Sequence, residues 1–231
     1  MAEARKTGTR PAEAPGKRAL MDAAVRLAAS SRCITSLGLR ELAREAGLNP
    51  NTFYRHFRDM DDLGLQLLRE SNQTLRAPLR QLRRKAARQS IADGSIDPLQ
   101  EEALRGRRVA QQTVKLYFEY VLKHRDRVVI AVRELHGPSE LLRAELRKQM
   151  DGFAEDMAAD VQALGLAPKG ISPAQIKLIA TLLSRNLLYL SLDYIGEPER
   201  REAILELAHE QINMLFAGAY LLQERAKNDS P

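Results

Sequence analysis

The side chains best suited to chemistry in this chain are gathered in one short run. Asn49, Asn51, Thr52, Tyr54, His56 and Arg58 lie close together, and the types present recognise surfaces rather than break bonds. Asn51 can offer a donor and an acceptor to an adenine edge, and Thr52 can meet a base edge or a thymine methyl. Tyr54, His56 and Arg58 suit phosphate oxygens, as do Lys17 and Arg18 where a preceding helix begins. Arg40, in the first turn of a second helix, can reach phosphate or a guanine edge. Catalytic constellations are missing from the sequence. There is no GxSxG, no phosphate-binding glycine loop and no HExxH. Glu206 and His209 have the i, i+3 spacing of di-iron bundles, but such sites need a second copy and further carboxylates, so His209 reads as a surface or interface residue. The expectation is no catalytic residue, no metal and no cofactor.

Two short helical patterns with a sharp break must position that run. Leu39, Leu42 and Ala43 form an apolar stripe at helical spacing, and Gly47 stops it. Asn49 then supplies an N-cap oxygen, and Pro50 takes the first helical position, where its missing N–H costs nothing. In the second helix Phe53 and Phe57 turn inward, while Asn51, Thr52, Tyr54, Arg55 and His56 face out. A helix–turn–helix of this composition is built to lie in a DNA major groove. The plain alternative is an αα-corner with a polar outer face.

The string LRELAREAGLNPNTFYRHF, preceded by KRALMDAAVRLAASS and followed by DMDDL, resembles the TetR family of one-component bacterial repressors. Ala43, Gly47, Thr52, Tyr54, His56 and Phe57 followed by Leu63 carry that resemblance, which spans about Gly16 to Leu68. It implies DNA contact at Arg40, Asn49, Asn51, Thr52, Tyr54 and His56. One position departs: the cap before Leu39 is Gly38, where such proteins usually place Ser or Thr, and glycine lends no side-chain oxygen. SLGLRELAREAGLNPNTFYRHFRDMDDLGLQLLRES and, outside that region, VRELHGPSELLRAELRKQM are similar to the fatty-acid-responsive subgroup that represses unsaturated fatty acid synthesis or desaturation. The resemblance implies long-chain acyl-CoA as effector.

Bulk properties agree with a globular protein that meets phosphate at one end. The 231 residues suffice for a small headpiece and a larger domain, and 44% of them are hydrophobic. No apolar run is long enough to cross a membrane. The N-terminal stretch is basic and lacks the apolar core of a secretory signal, and the single Cys33, read as a small buried residue closing the first helix, fits a reducing compartment. A cytoplasmic location is therefore expected. Residues 1–90 hold 18 Lys and Arg against 9 Asp and Glu, whereas the remainder is slightly acidic. That asymmetry suits nucleic-acid binding by the N-terminal part, with steep salt dependence.

Helical periodicity continues to the C-terminus with no alternating β pattern, so the fold is expected to be all-α. We divide it into a basic arm (1–16), a helix–turn–helix domain (17–58) and a helical ligand-binding and dimerisation domain (59–231). A long helix is expected from Asp59 to about Arg88, its basic end RQLRRKAAR forming a solvated face. A connection at Ser90–Glu102 precedes helices at about 107–124 and 126–136. Ser139 caps a helix to about Leu164, and Ser172-Pro173-Ala174-Gln175 opens one that is apolar on nearly every side. A last helix spans about 199–225. The last two are expected to pair with a second copy, giving a homodimer that reads a palindromic double-stranded operator, with Ala217, Gly218 and Ala219 permitting close approach. Tyr117, Phe118, Val121, Val132, Met150, Phe153 and Met157 are candidates to line an acyl-chain pocket, although core packing is the simpler role for each. Arg133, Arg143 and Arg147 are candidates for the CoA head group at its mouth. Alternatives are an unrelated hydrophobic effector, an architectural DNA protein without one, and an all-α acyl-CoA-binding enzyme.

Overall fold

In the computed structural model, residues 14–30, 32–89 and 98–228 are described, and all of their regular structure is helical. Residues 1–13 of the arm expected at 1–16 and 90–97 of the connection expected at 90–102 fall outside them; Pro15 and Gly16 already belong to the first helix, and 98–102 are helical. α1 (Pro15–Ser30) turns Leu20, Met21, Ala24 and Ala28 inward, as its apolar spacing requires. α2 (Leu39–Glu45) is closed by Gly47, whose φ of 68° allows the Leu48 N–H to reach the Ala43 carbonyl at 2.8 Å. A six-residue 3₁₀ helix, Pro50–Arg55, follows and buries Phe53, with Phe57 just beyond it.

α3 (Met60–Gln89) leaves this headpiece and runs along the larger domain. The domain is completed by α4 (Pro98–Lys123), α5 (Arg125–Leu135), α6 (Glu140–Ala163), α7 (Pro173–Gly196) and α8 (Arg201–Asn228). Ser139 caps α6 by accepting from the Leu142 N–H, and Ser172 with Gln175 forms the complete capping box expected at α7. α4 begins at Pro98, well before the expected start near Arg107. Leu20, Leu42, Phe53 and Phe57 share one apolar cluster with Ile130, Leu142 and Leu146, so the headpiece core is continuous with α5 and α6. Two further clusters lie among α3, α4, α5, α6, α7 and α8.

Two expectations need correction. The basic end of α3 is not simply a solvated face. Arg76, Arg80, Arg83 and Arg84 pair with Asp156 and Asp160 of α6, and Arg83 is 6% exposed. Arginines at helical spacing on one element meet aspartates one turn apart on the other, so an ion ladder binds α3 to α6. On α7, Leu178 and Leu182 remain 59% and 47% exposed within the single chain. Cys33 is half-buried beside Glu134 and stands between α1 and a 3₁₀ turn at Ile34–Ser36; burial pushes its thiol above the ordinary range.

The bidentate pairing with Arg76 holds the Asp156 carboxyl below its ordinary value against the opposing effect of burial. A depressed carboxyl stabilises the fold above the pKa of the unfolded chain, and that stabilisation fades as pH falls through the folded value. Asp156→Asn is therefore expected to cost about 1–3 kcal/mol at neutral pH. The gap to the wild type should narrow as pH is lowered through the carboxylate range, read from urea unfolding at several pH values.

Candidate nucleic-acid interface and effector cavity

The turn expected after Gly47 is present, built on a tighter helix than the sequence suggested. Asn49 Oδ1 accepts the Asn51 N–H at 2.9 Å, while the Asn49 carbonyl takes that of Thr52 at 2.9 Å. Pro50 at the first position and the buried Phe53 and Phe57 then fix the rotation of the turn. Asn51, Tyr54, Arg55 and Arg58 are consequently exposed, with Tyr54 at 66%, and Thr52 and His56 are half-buried. Gly16 explains the last two: a Cβ there would stand 3.2 Å from His56 Nε2 and 3.6 Å from Thr52 Cγ2. The start of α1, with Lys17, thus lies against the recognition turn. Arg40 and Asn49 are exposed nearby. Arg18 is held within the protein, its guanidinium bound to Asp22 at 2.8 Å and to Glu70 at 2.7 Å.

Gly38 lends α2 no side-chain cap. Glu41 instead grips Arg32, which is the chief reason its carboxyl is held below the ordinary value.

Beneath the headpiece, α3 to α8 enclose a largely apolar cavity of about 300 Å³. Tyr117, Val121, Met150, Phe153 and Met157 line it as expected. Phe118 does not; it is fully buried and its ring packs 4.4 Å from that of Tyr194 on the other side of α4. Val132 faces away on α5. The three cations expected at the mouth are elsewhere, because their faces of α5 and α6 point toward the headpiece or solvent. Arg133 donates to the Ala28 and Arg32 carbonyls, Arg143 to the Gly137 carbonyl at 2.5 Å, and Arg147 is absent from the lining. The cations that do line the cavity are Arg83, Arg107 and Arg127, with Asn72, Tyr120 and Gln149 as further polar groups. Sequence spacing gave no signal for these. Tyr117 donates to or accepts from Ser191 at 2.9 Å, and burial pushes its hydroxyl up to about 12, so it stays protonated. Gly106 lets α4 cross directly over the Leu166 carbonyl at the cavity wall, where any Cβ would collide.

Residues 20–67 match the family described as bacterial regulatory proteins, tetR family. The chain carries a tetR-family DNA-binding domain. The likeness in fold extends through the whole protein. The fatty acid degradation regulator FadR of Bacillus halodurans is 15% identical at a TM-score of 0.59, with 89% of this chain and 97% of that one covered. FadR of Bacillus subtilis, solved in complex with stearoyl-CoA, is 14% identical at a TM-score of 0.55, with coverages of 87% and 98%. A transcriptional regulator of Rhodococcus sp. is 22% identical at a TM-score of 0.59, with coverages of 87% and 96%.

The headpiece is tied to the larger domain by adjacent residues of α5. Arg133 holds carbonyls at the end of α1, and Glu134 accepts the Ile34 N–H at 2.5 Å. No helix among the described residues is long and apolar enough to cross a membrane, and no group of three His, Cys, Asp or Glu could hold a metal there.

Asn49→Ala is expected to loosen the recognition turn by about 1 kcal/mol, the usual value of an N-cap oxygen. The variant should show faster amide exchange at Asn51 and Thr52 and weaker DNA binding at unchanged salt dependence.

Proposed function

We propose that this tetR-type regulator is a homodimeric cytoplasmic repressor whose DNA affinity responds to long-chain acyl-CoA, and that it controls genes of unsaturated fatty acid metabolism. The observation that carries the effector reading is the cavity itself. It is apolar, of ligand size, and lined by the adaptable side chains Met150 and Met157 with cations at Arg83, Arg107 and Arg127. An acyl chain fits such walls, and the cations suit the oxygens of its head. A fold neighbour solved in complex with stearoyl-CoA supports the same chemistry.

DNA contact falls to Lys17, Arg40, Asn49, Asn51, Thr52, Tyr54, His56 and Arg58, with Arg18 acting from within its ion network. Residues 17–58 form the reading head and 59–231 the sensing and pairing domain. One head spans too few base pairs for specificity, so two must act together on a palindrome. α7 and α8 supply the pairing surface: Leu178 and Leu182 on one, Met214, Leu221 and Leu222 on the other, all between 47% and 64% exposed. Such an apolar face is what a second copy would cover.

Operator DNA selected from random sequence by the purified protein provides the test. Asn51→Ala and Tyr54→Ala should each weaken operator binding at least about tenfold, the usual worth of one recognition contact, and bring it toward non-specific affinity. Titration with oleoyl-CoA and stearoyl-CoA should shift operator affinity, unequally for the two chains. A shift from neither removes the acyl-CoA response and leaves the DNA-binding regulator; an unrelated hydrophobic effector is then the reading to pursue.

A further inference from the structure

Polar atoms are scarce on the cavity wall, and several gather at one corner. Ser71, Asn72, Tyr120 and Arg127 meet there: Tyr120 donates to the Ser71 carbonyl at 3.0 Å, and Arg127 Nη1 stands 3.4 Å from Ser71 Oγ. Asn72 Oδ1 is buried with no partner. The Arg127 side chain is 17% exposed, and its contacts are long. Its ion-pair partner Glu70 Oε1 is 3.5 Å away. The same oxygen binds Arg18 Nη1 at 2.7 Å. Glu70 Oε2 is buried without a partner, so this carboxylate depends on the two arginines that share it.

These residues form a continuous line between two surfaces. Arg127 faces the cavity from α5, Glu70 belongs to α3, and Arg18 belongs to the first turns of α1. Two residues before Arg18, Gly16 packs on His56 and Thr52 of the recognition turn. One carboxylate therefore touches a cavity cation and, through Arg18, the element that seats the reading head. Asp22 also holds Arg18, at 2.8 Å, so Arg18 would not be released if Glu70 withdrew; it would be re-aimed.

We propose that Arg127 reads an oxygen acceptor of the effector, a carboxylate or thioester carbonyl, and that Glu70 relays its occupation to Arg18 and the recognition turn. The proposal rests on the effector reading above for the ligand, but the relay stands on protein contacts alone. An acceptor oxygen in the corner competes with Glu70 for Arg127. As Arg127 turns to the ligand, Glu70 is left to Arg18 alone, and the balance between Glu70 and Asp22 that orients α1 changes. The effector acts through its differential contact with the two arrangements.

A double-mutant cycle tests the relay without any ligand. In the full-length protein, Arg127→Met is expected to change operator affinity by about three- to tenfold and to speed amide exchange in the first turns of α1. In a Glu70→Gln background the same substitution should change both by less than about twofold, since the link is already cut. Arg127→Lys, which keeps the charge, should retain part of the coupling. Effects of Arg127→Met and Glu70→Gln that simply add would overturn the relay, and thermal unfolding of each variant separates coupling from loss of fold. With oleoyl-CoA as probe, Arg127→Met should weaken effector binding about tenfold, whereas Glu70→Gln, which removes the competitor for Arg127, should bind it at least as tightly as the wild type yet lose the operator response. Unchanged oleoyl-CoA affinity in Arg127→Met would remove Arg127 as the reading group. Failure of the wild type to bind oleoyl-CoA would remove the acyl-CoA reading, while the cycle still decides the relay.

Discussion

Glu134 has no exposed surface, and one of its oxygens takes the Ile34 N–H across the junction between the headpiece and the larger domain, while the other has no partner. Burying a carboxyl costs free energy unless hydrogen bonds and nearby charge replace its water. Here burial pushes the group upward, and the Ile34 N–H and Arg133 oppose that push. Arg133 meanwhile satisfies the Ala28 and Arg32 carbonyls at and just beyond the end of α1, backbone acceptors a helix terminus leaves over. The two neighbours thus hold opposite ends of the α1–Ile34 connection, one as donor and one as acceptor. Gly137 belongs to the same arrangement, because a Cβ there would stand 2.8 Å from Glu134 Oε2 and 3.3 Å from Cys33 Sγ. This joint fixes the backbone of the headpiece to α5 where the apolar cluster shared with α5 and α6 begins.

The headpiece was legible in the sequence because its signals are local. Asn49, Pro50, Gly47 and the pair Phe53 and Phe57 each specify a backbone or packing outcome within a few residues, and the structure has all of them in those roles. The helix between them came out tighter than periodicity indicated, since six residues capped by Asn49 fill it with i+3 bonds. The capping box at Ser172 and the cap at Ser139 were readable for the same reason.

Long-range pairing was not legible. Arg76, Arg80, Arg83 and Arg84 share a helix face, and Asp156 and Asp160 are one turn apart, yet about eighty positions separate the two sets and nothing local joins them. Both patterns read as solvated until α3 and α6 are laid together. The cavity shows the same limit. Apolar candidates on the correct faces of α4 and α6 were found, but the cations were misplaced, because Arg127 and Arg133 lie on different faces of α5 and only the packing of that helix tells which one meets the interior. The apolar surround of α7 was recognised without knowing which side its own chain covers.

The shortness of α5 has a mechanical consequence. Eleven residues make a strut of about 16 Å. Within it Arg127, Val128 and Ala131 touch the cavity, and Ile130, Arg133 and Glu134 are anchored in the headpiece core or its backbone. The two sets interleave within three turns, so the strut has no free length in which to bend between them. Whatever displaces its inner side must carry the outer side along as one body, and the lever is as stiff as a helix can be.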